Sequence, residues 1–185
     1  MTISTSALQQ KNAKHLIQSF SDLSYINNPE ATHIISRADG VYIYDNDGKK
    51  ILDSMSGLWC VNMGYGQKSI IDAVNEQMKE LVYYNNFFGS SHPSAIKLSE
   101  MIADKTPPGM NKVYFTGSGS EANDTVVRLA RHYWAAKGKP SKSVIISRKN
   151  AYHGSTMAGA SLGGMSAMHA QGGLPIPDIE HVDQP

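Results

Sequence analysis

The chain has 185 residues, 41% hydrophobic and 18% charged, a composition that is typical of folded globular proteins and argues against disorder. A formal net charge of +1 provides no basic field for nucleic acid or an anionic membrane, and no stretch approaches the roughly 18 apolar residues of a membrane span. The N-terminal residues lack the apolar segment of a signal peptide, and Cys60 is the single cysteine. We therefore expect a cytoplasmic protein that binds neither nucleic acid nor membrane, with Cys60 buried.

Patterns in the first half of the chain predict helices around a β-hairpin. Apolar residues at helical spacing predict helices over residues 7–20, 69–83 and 93–103. Between the first two, Asp45-Asn46-Asp47-Gly48 is a turn sequence flanked by two short runs rich in β-forming residues. Residues 41–53 are therefore predicted to form a hairpin.

A glycine-rich loop follows a short apolar run, residues 113–115, and precedes a long amphipathic helix predicted to end near Gly138. The sequence of the loop is Thr116-Gly117-Ser118-Gly119-Ser120-Glu121-Ala122-Asn123. Glycine lets the backbone approach a ligand closely, and the first N–H groups of a helix have no acceptor inside it. Because the helix dipole also favours an anion at this end, we predict a phosphate site, with the hydroxyls of Ser118 and Ser120 as further donors.

Residues 141–147 predict a second buried strand, which follows this helix. Strand, helix and strand in this order are typical of a βαβ unit, so the second half of the chain is predicted to begin an α/β domain with a parallel sheet. Ligands of such sheets bind at the carboxyl ends of the strands, where Tyr152, His153 and Gly154 follow. Two parallel strands leave a sheet edge unpaired, so we expect the sequence to be a truncated α/β domain.

Two phosphate ligands are compatible with the glycine loop. The first is a dinucleotide, because Gly117, Gly119 and Ala122 satisfy the loose G-x-G-x-x-A pattern. The acidic residue expected about 20 positions later is missing, and Ser147 and Arg148 stand in its place. Such a site would therefore have to prefer NADP, with Arg148 on the additional phosphate.

The second ligand is pyridoxal phosphate, whose ring needs an aromatic platform. Tyr152 is placed to stack on that ring, and such stacking contributes about 0.5 to 1.5 kcal/mol beyond the buried area. Gly154 would let the backbone bend towards the cofactor. The combination of the glycine loop with Tyr152 favours pyridoxal phosphate over the dinucleotide.

These residues resemble the class III aminotransferases of the fold type I pyridoxal phosphate enzymes. The resemblance rests on five motifs in order, which are residues 53–66, 84–89, 118–123, 150–154 and 173–177. Gly57-Leu58-Trp59 in the first motif is similar to the ω-transaminases, which transfer an amino group from an amine to pyruvate. The motifs extend over nearly the whole chain and are far more specific than the glycine loop alone.

The resemblance implies roles for single residues. It implies a site for pyridoxal 5'-phosphate formed by Ser118, Gly119, Ser120, Tyr152 and His153. In that site Gly119 and Ser120 hold the phosphate and Tyr152 stacks on the ring. It implies a substrate pocket lined by Phe20, Trp59, Phe87 and Ser155. Without the resemblance, Trp59 and Phe87 are equally compatible with core aromatics, Ser155 with a helix cap and His153 with a structural role.

The resemblance also implies the fold and the assembly. It assigns residues 1–60 to the N-terminal segment of a small domain, and residues 61–185 to the first part of the large pyridoxal phosphate-binding α/β domain. In this domain helices flank a parallel-rich sheet. Residues 84–91 would face the partner subunit of a homodimer. The implied reaction is transamination from an amine or ω-amino acid donor to a keto-acid acceptor such as pyruvate.

Part of the family's machinery has no match in this sequence. In the family, the lysine that forms a Schiff base with pyridoxal phosphate and the arginine that binds the substrate carboxylate come well after the Tyr-His-Gly motif. We therefore predict no catalytic residue and no metal site in these 185 residues, with Lys142 and Lys149 as surface residues. The chain by itself is expected not to transaminate. An NADP-type oxidoreductase domain and a non-catalytic interaction fragment remain the alternatives.

Overall fold

The chain divides into two compact units, Met1–Ser90 and Ser91–Pro185, and the computed structural model describes residues 3–185. The first unit contains a three-stranded antiparallel sheet and the second a parallel pair of strands. Over residues 3–185, no helix is long and apolar enough to cross a membrane. The assignment of residues 1–60 to the small domain of the family fold and of residues 61–185 to its large domain stays a prediction.

The first unit combines short helices with the antiparallel sheet. Its elements are α1 (Thr5–His15), α2 (Leu23–Ile26), a 3₁₀ turn (Pro29–Ala31), β1 (Ile35–Asp39), β2 (Tyr42–Asp45), β3 (Lys50–Leu52), α3 (Ser56–Trp59) and α4 (Lys68–Glu80). The helix predicted over residues 7–20 begins earlier, because Ser4 caps it by accepting a hydrogen bond from the N–H of Ala7 at 3.3 Å. It ends where the backbone of Leu16 becomes extended, so Phe20 lies outside it.

The hairpin predicted over residues 41–53 is confirmed. β2 lies between β1 and β3 and pairs antiparallel with both. The turn between β2 and β3 is fixed by Asp45, whose Oδ1 accepts hydrogen bonds from the N–H groups of Asp47 at 3.1 Å and Lys49 at 2.8 Å. A short carboxylate that bonds to its own backbone is the reason why aspartate favours such turns.

The second unit is built from helices around the parallel strand pair. Its elements are α5 (Pro93–Ala103), α6 (Gly119–Ala136), β4 (Ile145–Arg148), α7 (Met157–Leu162), α8 (Ser166–His169) and β5 (Ile179–Val182). The helix predicted over residues 93–103 is confirmed with the same bounds. His92 caps it through Nδ1, which accepts a hydrogen bond from the N–H of Ala95 at 3.4 Å, and Pro93 occupies the first helical position.

The parallel pair differs from the predicted one. β4 pairs with β5, with Ile145 opposite Ile179, and the connection runs through α7 and α8. The prediction that residues 113–115 form a strand, and with β4 a βαβ unit, is wrong, because that segment has no strand partner in the described part of the chain. An apolar run becomes a strand only beside a neighbour that shares its backbone hydrogen bonds, and periodicity does not reveal that neighbour.

The core of the second unit lies between α6, α7 and the strand pair. Its buried residues are Val127, Ala158, Leu162 and Ile179, with Ile145 and Ile176 packed against them. Helical spacing predicts a buried stripe on α6 formed by Ala122, Val126, Leu129, Ala130 and Tyr133. In the structure, however, Val126 is 58% exposed and Leu129 is 50% exposed. The packed face is therefore rotated by one residue, about 100° around the helix, from the predicted one.

Candidate functional site

The first turn of α6 leaves two backbone donors available. Ser118 caps the helix, and its Oγ accepts a hydrogen bond from the N–H of Glu121 at 3.2 Å. Glu121 in turn accepts one through Oε2 from the N–H of Gly117 at 2.7 Å. The N–H groups of Gly119 and Ser120 have no acceptor among residues 3–185, as expected at a helix N-terminus. They are the donors that the predicted phosphate site requires.

The loop after β4, residues 149–156, is fastened to the first turns of α6; we call it the Tyr152 loop. Ser120 Oγ accepts a hydrogen bond from the N–H of Ser155 at 3.1 Å. Asn123 Nδ2 donates one to the carbonyl oxygen of His153 at 2.7 Å. These two side chains therefore hold the middle of the loop beside the unpaired amides of α6.

Asp124 connects the same helix to the beginning of α7. Its Oδ1 accepts hydrogen bonds from Thr156 Oγ1 at 2.6 Å and from the N–H of Gly159 at 3.0 Å. Hydrogen bonds to a charged acceptor contribute about 1.5 to 3 kcal/mol each. Asp124 therefore fixes the end of the Tyr152 loop.

Two glycines allow the loop to pack backbone against backbone. Gly154 has φ of +125°, and a Cβ there would lie 2.6 Å from the Oγ and 2.8 Å from the Cα of Ser120. On the other side of the loop, Gly164 donates a hydrogen bond to the carbonyl of Ala151 at 2.9 Å and accepts one from the N–H of Asn150 at 3.0 Å. A Cβ on Gly164 would lie 2.7 Å from that nitrogen. Only glycine fits at either position without a backbone shift.

Five predicted site residues come together at these two loops, namely Ser118, Gly119, Ser120, His153 and Ser155. Tyr152 precedes His153 in the same loop, and its side chain is 57% exposed. Ser155 is not a helix cap, because Thr156 occupies the N-cap position of α7. The contact of His153 with α6 is made by its backbone carbonyl, which supports the structural alternative for this residue.

The other three predicted residues, Phe20, Trp59 and Phe87, belong to the first unit and are 65%, 82% and 67% exposed. A core aromatic loses nearly all of its accessible surface on folding, so Trp59 and Phe87 do not belong to the core of the first unit. Cys60, beside Trp59, is exposed as well, contrary to expectation.

Trp59 lies on a backbone of unusual conformation. The four residues of α3, Ser56–Trp59, all have positive φ, between 49° and 68°. We call α3 the left-handed turn. For Ser56, Leu58 and Trp59 this conformation costs roughly 1 to 2 kcal/mol per residue, which surrounding contacts must offset. Strained backbone of this kind clusters at functional sites, so the turn is a candidate part of one.

Asp53 supplies contacts to the left-handed turn. Its Oδ2 accepts hydrogen bonds from the hydroxyl of Tyr65 and from the N–H of Gly57, both at 2.7 Å, and its Oδ1 accepts one from the N–H of Met55 at 3.2 Å. The bond from Tyr65, followed by that from Gly57, lowers the pKa of Asp53 below its ordinary 3.8. The same Tyr65 bond raises the pKa of the phenol above 10.0. At neutral pH the turn is therefore held by an ionised carboxylate.

The sequence reasoning missed the residues that hold these segments in place, which are Asp53, Tyr65, Asn123, Asp124, Thr156 and Gly164. One signal was available, because the small residues over 158–164 indicate close backbone packing behind the Tyr152 loop. No periodic pattern marks the contact between Asp53 and Tyr65, which are 12 residues apart.

Residues 25–185 match the family of class III aminotransferases. This chain belongs to that family. Over 177 residues the aminotransferase chain is 55% identical to the putrescine–pyruvate aminotransferase of Pseudomonas aeruginosa, an alignment that covers 96% of this chain and 39% of that protein.

Solved structures confirm the fold type I assignment of this aminotransferase chain. It superposes with a TM-score of 0.92 and 38% identity on the ω-transaminase of Pseudomonas jessenii in complex with PMP, covering 96% of this chain and 39% of that one. The thermostable (S)-enantioselective ω-transaminase of Thermomicrobium roseum gives a TM-score of 0.92 at 33% identity, covering 100% and 41%. The chain thus spans about two fifths of the length of the relatives it matches.

The residues at the N-terminus of α6 suit the phosphate of pyridoxal phosphate, the cofactor of class III aminotransferases. A Cβ added at Gly119 would meet no heavy atom within 4 Å, so there is open space beside the two unpaired amides. The Oγ atoms of Ser118 and Ser120 both accept hydrogen bonds from amides, which leaves their protons for donation to a phosphate oxygen. The four donors at this site are two backbone amides and two hydroxyls, and the amides carry the partial positive charge of a helix N-terminus, which favours an anion.

Proposed function

We propose that this class III aminotransferase uses pyridoxal phosphate to transfer an amino group from a primary amine to pyruvate. One observation carries the proposal: the Tyr152 loop is fixed against the N-terminus of α6, where two amides lack acceptors in the described part of the chain. Family membership supports the cofactor, and the similarity to a putrescine–pyruvate aminotransferase supports the choice of substrates.

In this proposal the phosphate is bound by the N–H groups of Gly119 and Ser120 and by the hydroxyl protons of Ser118 and Ser120. Each such charge-assisted hydrogen bond contributes about 1.5 to 3 kcal/mol. Ser120 has two roles in this proposal. Its Oγ accepts a hydrogen bond from the N–H of Ser155, which fixes the Tyr152 loop, and its hydroxyl proton is donated to the phosphate. Tyr152 covers one face of the ring and excludes water from it. When bound, pyridoxal phosphate supplies an electron sink for the charge that develops on the amine carbon.

We propose that Phe20, Trp59, Phe87 and Ser155 bind the amine, the roles that the resemblance to the family implies for them. The exposed aromatic rings among them offer apolar surface for the carbon chain of an amine. We further propose a homodimer in which residues 84–91 face the partner subunit, and a location in the cytoplasm. Putrescine is the first donor to test, and ω-amino acids are the second class.

The test measures alanine formed from pyruvate by the purified, pyridoxal phosphate-loaded protein with putrescine, with 4-aminobutyrate and without an amine. The amino group that leaves the donor appears on pyruvate, so we expect one alanine per aldehyde formed. The intact mass of the same sample is recorded, because the 185-residue chain of 20.1 kDa is expected to bind the cofactor without forming alanine. A heavier protein that binds pyridoxal phosphate but forms no alanine with either donor would overturn the proposal.

A thermal-shift measurement distinguishes pyridoxal phosphate binding from the dinucleotide alternative. A ligand that binds the folded state raises Tm, by an amount that grows with its concentration over Kd. We expect pyridoxal phosphate to raise Tm and NADPH to leave it unchanged. The opposite result would favour an NADP-binding domain.

A further inference from the structure

The left-handed turn presents large apolar side chains on a backbone that they disfavour. Leu58 is 69% exposed and Trp59 is 82% exposed, and both have positive φ. Burial of these side chains within the unit therefore does not explain their conformation. The contacts that the structure shows for this turn are hydrogen bonds of its backbone.

Asp53 is the link between this turn and the antiparallel sheet. Its own N–H donates to the carbonyl of Val41 at 3.0 Å, directly after β3, so its position is set by the sheet. Its carboxylate then accepts the amides of Met55 and Gly57, at the start of the left-handed turn. A neutral side chain with one acceptor oxygen and two donors could not accept the same set of bonds.

Tyr65 provides the second fixed point. Its backbone exchanges two hydrogen bonds with Gly40, at 3.2 Å and 2.7 Å, next to the β1–β2 connection. The approach is close, because a Cβ on Gly64 would lie 3.0 Å from the carbonyl oxygen of Gly40. The hydroxyl of Tyr65 then donates to Asp53 Oδ2, the atom that also accepts from Gly57.

We propose that Asp53 and Tyr65 are positioning residues, which hold the left-handed turn and thereby fix the side chain of Trp59 as a rigid wall of the amine pocket. The role of the wall rests on the proposed function, whereas the rigidity of the turn does not. With the wall fixed, the enzyme discriminates between amines by size. Loss of either positioning residue loosens the wall and relaxes that discrimination.

The first experiment measures the rigidity of the left-handed turn and needs no assay of activity. Amide hydrogen exchange of the peptide over residues 54–62 is followed by mass spectrometry in the protein purified with pyridoxal phosphate. The amides of Gly57, Trp59 and Cys60 are hydrogen-bonded in the turn. We expect exchange in this peptide to become about tenfold faster in Asp53→Asn and in Tyr65→Phe. Unchanged exchange in both variants would overturn the proposal.

The matched control is Asp45→Asn. Asp45 is also an aspartate that accepts two backbone amides in the first unit, but it fixes the β2–β3 turn and has no bond to the left-handed turn. We expect this variant to leave exchange over residues 54–62 as in the wild type. Amide exchange over residues 54–62 in the double variant of Asp53→Asn and Tyr65→Phe should be no faster than in the faster of the two single variants. The reason is that both substitutions remove hydrogen bonds made at Asp53 Oδ2.

The second experiment measures substrate specificity, in a protein heavier than 20.1 kDa that forms alanine, because the 185-residue chain by itself is expected not to. The ratio of kcat/KM for bulky 1-phenylethylamine to kcat/KM for putrescine is expected to rise about fivefold in Asp53→Asn and Tyr65→Phe, and to stay constant in Asp45→Asn. A purely structural role would lower the amount of folded protein but not change this ratio. If exchange over residues 54–62 becomes faster but the ratio of kcat/KM values does not change, the assignment of Trp59 to the pocket wall is overturned. If a wild-type protein heavier than 20.1 kDa binds pyridoxal phosphate but forms no alanine from any amine, the proposed function fails, and the exchange experiment still decides the role of Asp53 and Tyr65.

Discussion

The Tyr152 loop and the left-handed turn each present an exposed aromatic side chain, but they are held by different forces. Gly154 of the Tyr152 loop packs so closely against α6, and Gly164 so closely against residues 148–150, that neither glycine has room for a Cβ. The left-handed turn lies on the surface and depends on the acceptor oxygens of one carboxylate, that of Asp53. Close packing resists any change of volume, whereas a hydrogen-bonded carboxylate is sensitive to charge and pH. The two regions should therefore fail under different substitutions.

The largest effect is expected from Gly154→Ala, which tests the packing side of the comparison. The new Cβ would meet Ser120 and would require positive φ, so we expect a loss of about 3 kcal/mol or more in the free energy of unfolding. Pyridoxal phosphate binding should be lost with it. Urea unfolding and equilibrium dialysis measure the two effects. The control is Gly172→Ala, where a Cβ meets no heavy atom within 4 Å and stability should stay within about 0.5 kcal/mol.

Ser120→Ala should act mainly on cofactor binding. It removes the acceptor of the Ser155 amide and one proposed donor to the phosphate, and it adds no atom beside Gly154. We expect pyridoxal phosphate to bind about 10- to 100-fold more weakly. Ser166→Ala, at an exposed serine of α8, is the control and should leave binding unchanged. Equal binding by the two variants would contradict the assignment of the phosphate site.

The pH dependence tests the carboxylate side of the comparison. The folded-state pKa of Asp53 is lowered, so its contribution to stability is present above the ordinary value of 3.8 and is lost as pH falls through the folded pKa. The pKa of Tyr65 is raised, so its contribution is present below 10.0 and is lost as pH rises through the folded pKa. The Tm difference between the wild type and Asp53→Asn should therefore be constant from pH 5 to 9 and vanish in strong acid. A difference that persists in strong acid would show that the charge of Asp53 is not what holds the turn.

The smallest effect is expected from Lys149→Met, beside the Tyr152 loop. Lys149 Nζ lies 2.6 Å from Asp183 Oδ1, but the two side chains are 58% and 83% exposed. Exposed ion pairs contribute about 0.2 to 1 kcal/mol, so stability should change by no more than that. Cofactor binding should also be unchanged, since packing holds the loop. A large loss of binding would mean that charge, rather than packing, fixes this region.

The sequence predicted local elements well where a capping or turn residue fixes the bounds. The bounds of α5 follow from His92 and Pro93, and those of the hairpin from the Asp45 turn. The strand at residues 113–115 was wrong, and β5 was not predicted, because strand pairing depends on a partner distant in the chain. The predicted helix over residues 7–20 was too long, because Leu16 is extended despite its apolar character.

For the candidate site, the sequence predicted the groups that are proposed to bind a ligand but not the residues that hold these groups in place. Glycine and serine before a helix have a direct chemical meaning, so Gly119 and Ser120 were predicted from the pattern alone. Asn123, Asp124 and Asp53 look like ordinary polar residues in the sequence. Their role arises from contacts with His153, Gly159 and Gly57 that only the folded chain brings together.

The close packing of Gly164 behind the Tyr152 loop also bears on synthesis at the ribosome. A nascent chain that has reached residue 156 contains the glycine loop and the Tyr152 loop, yet lacks Gly164 and the β5 strand that pairs with β4. At 5 to 20 residues per second, the 26 residues from 157 to Val182 take roughly 1 to 5 s to translate. We therefore expect the proposed phosphate site to reach its final geometry only after β5 has been translated.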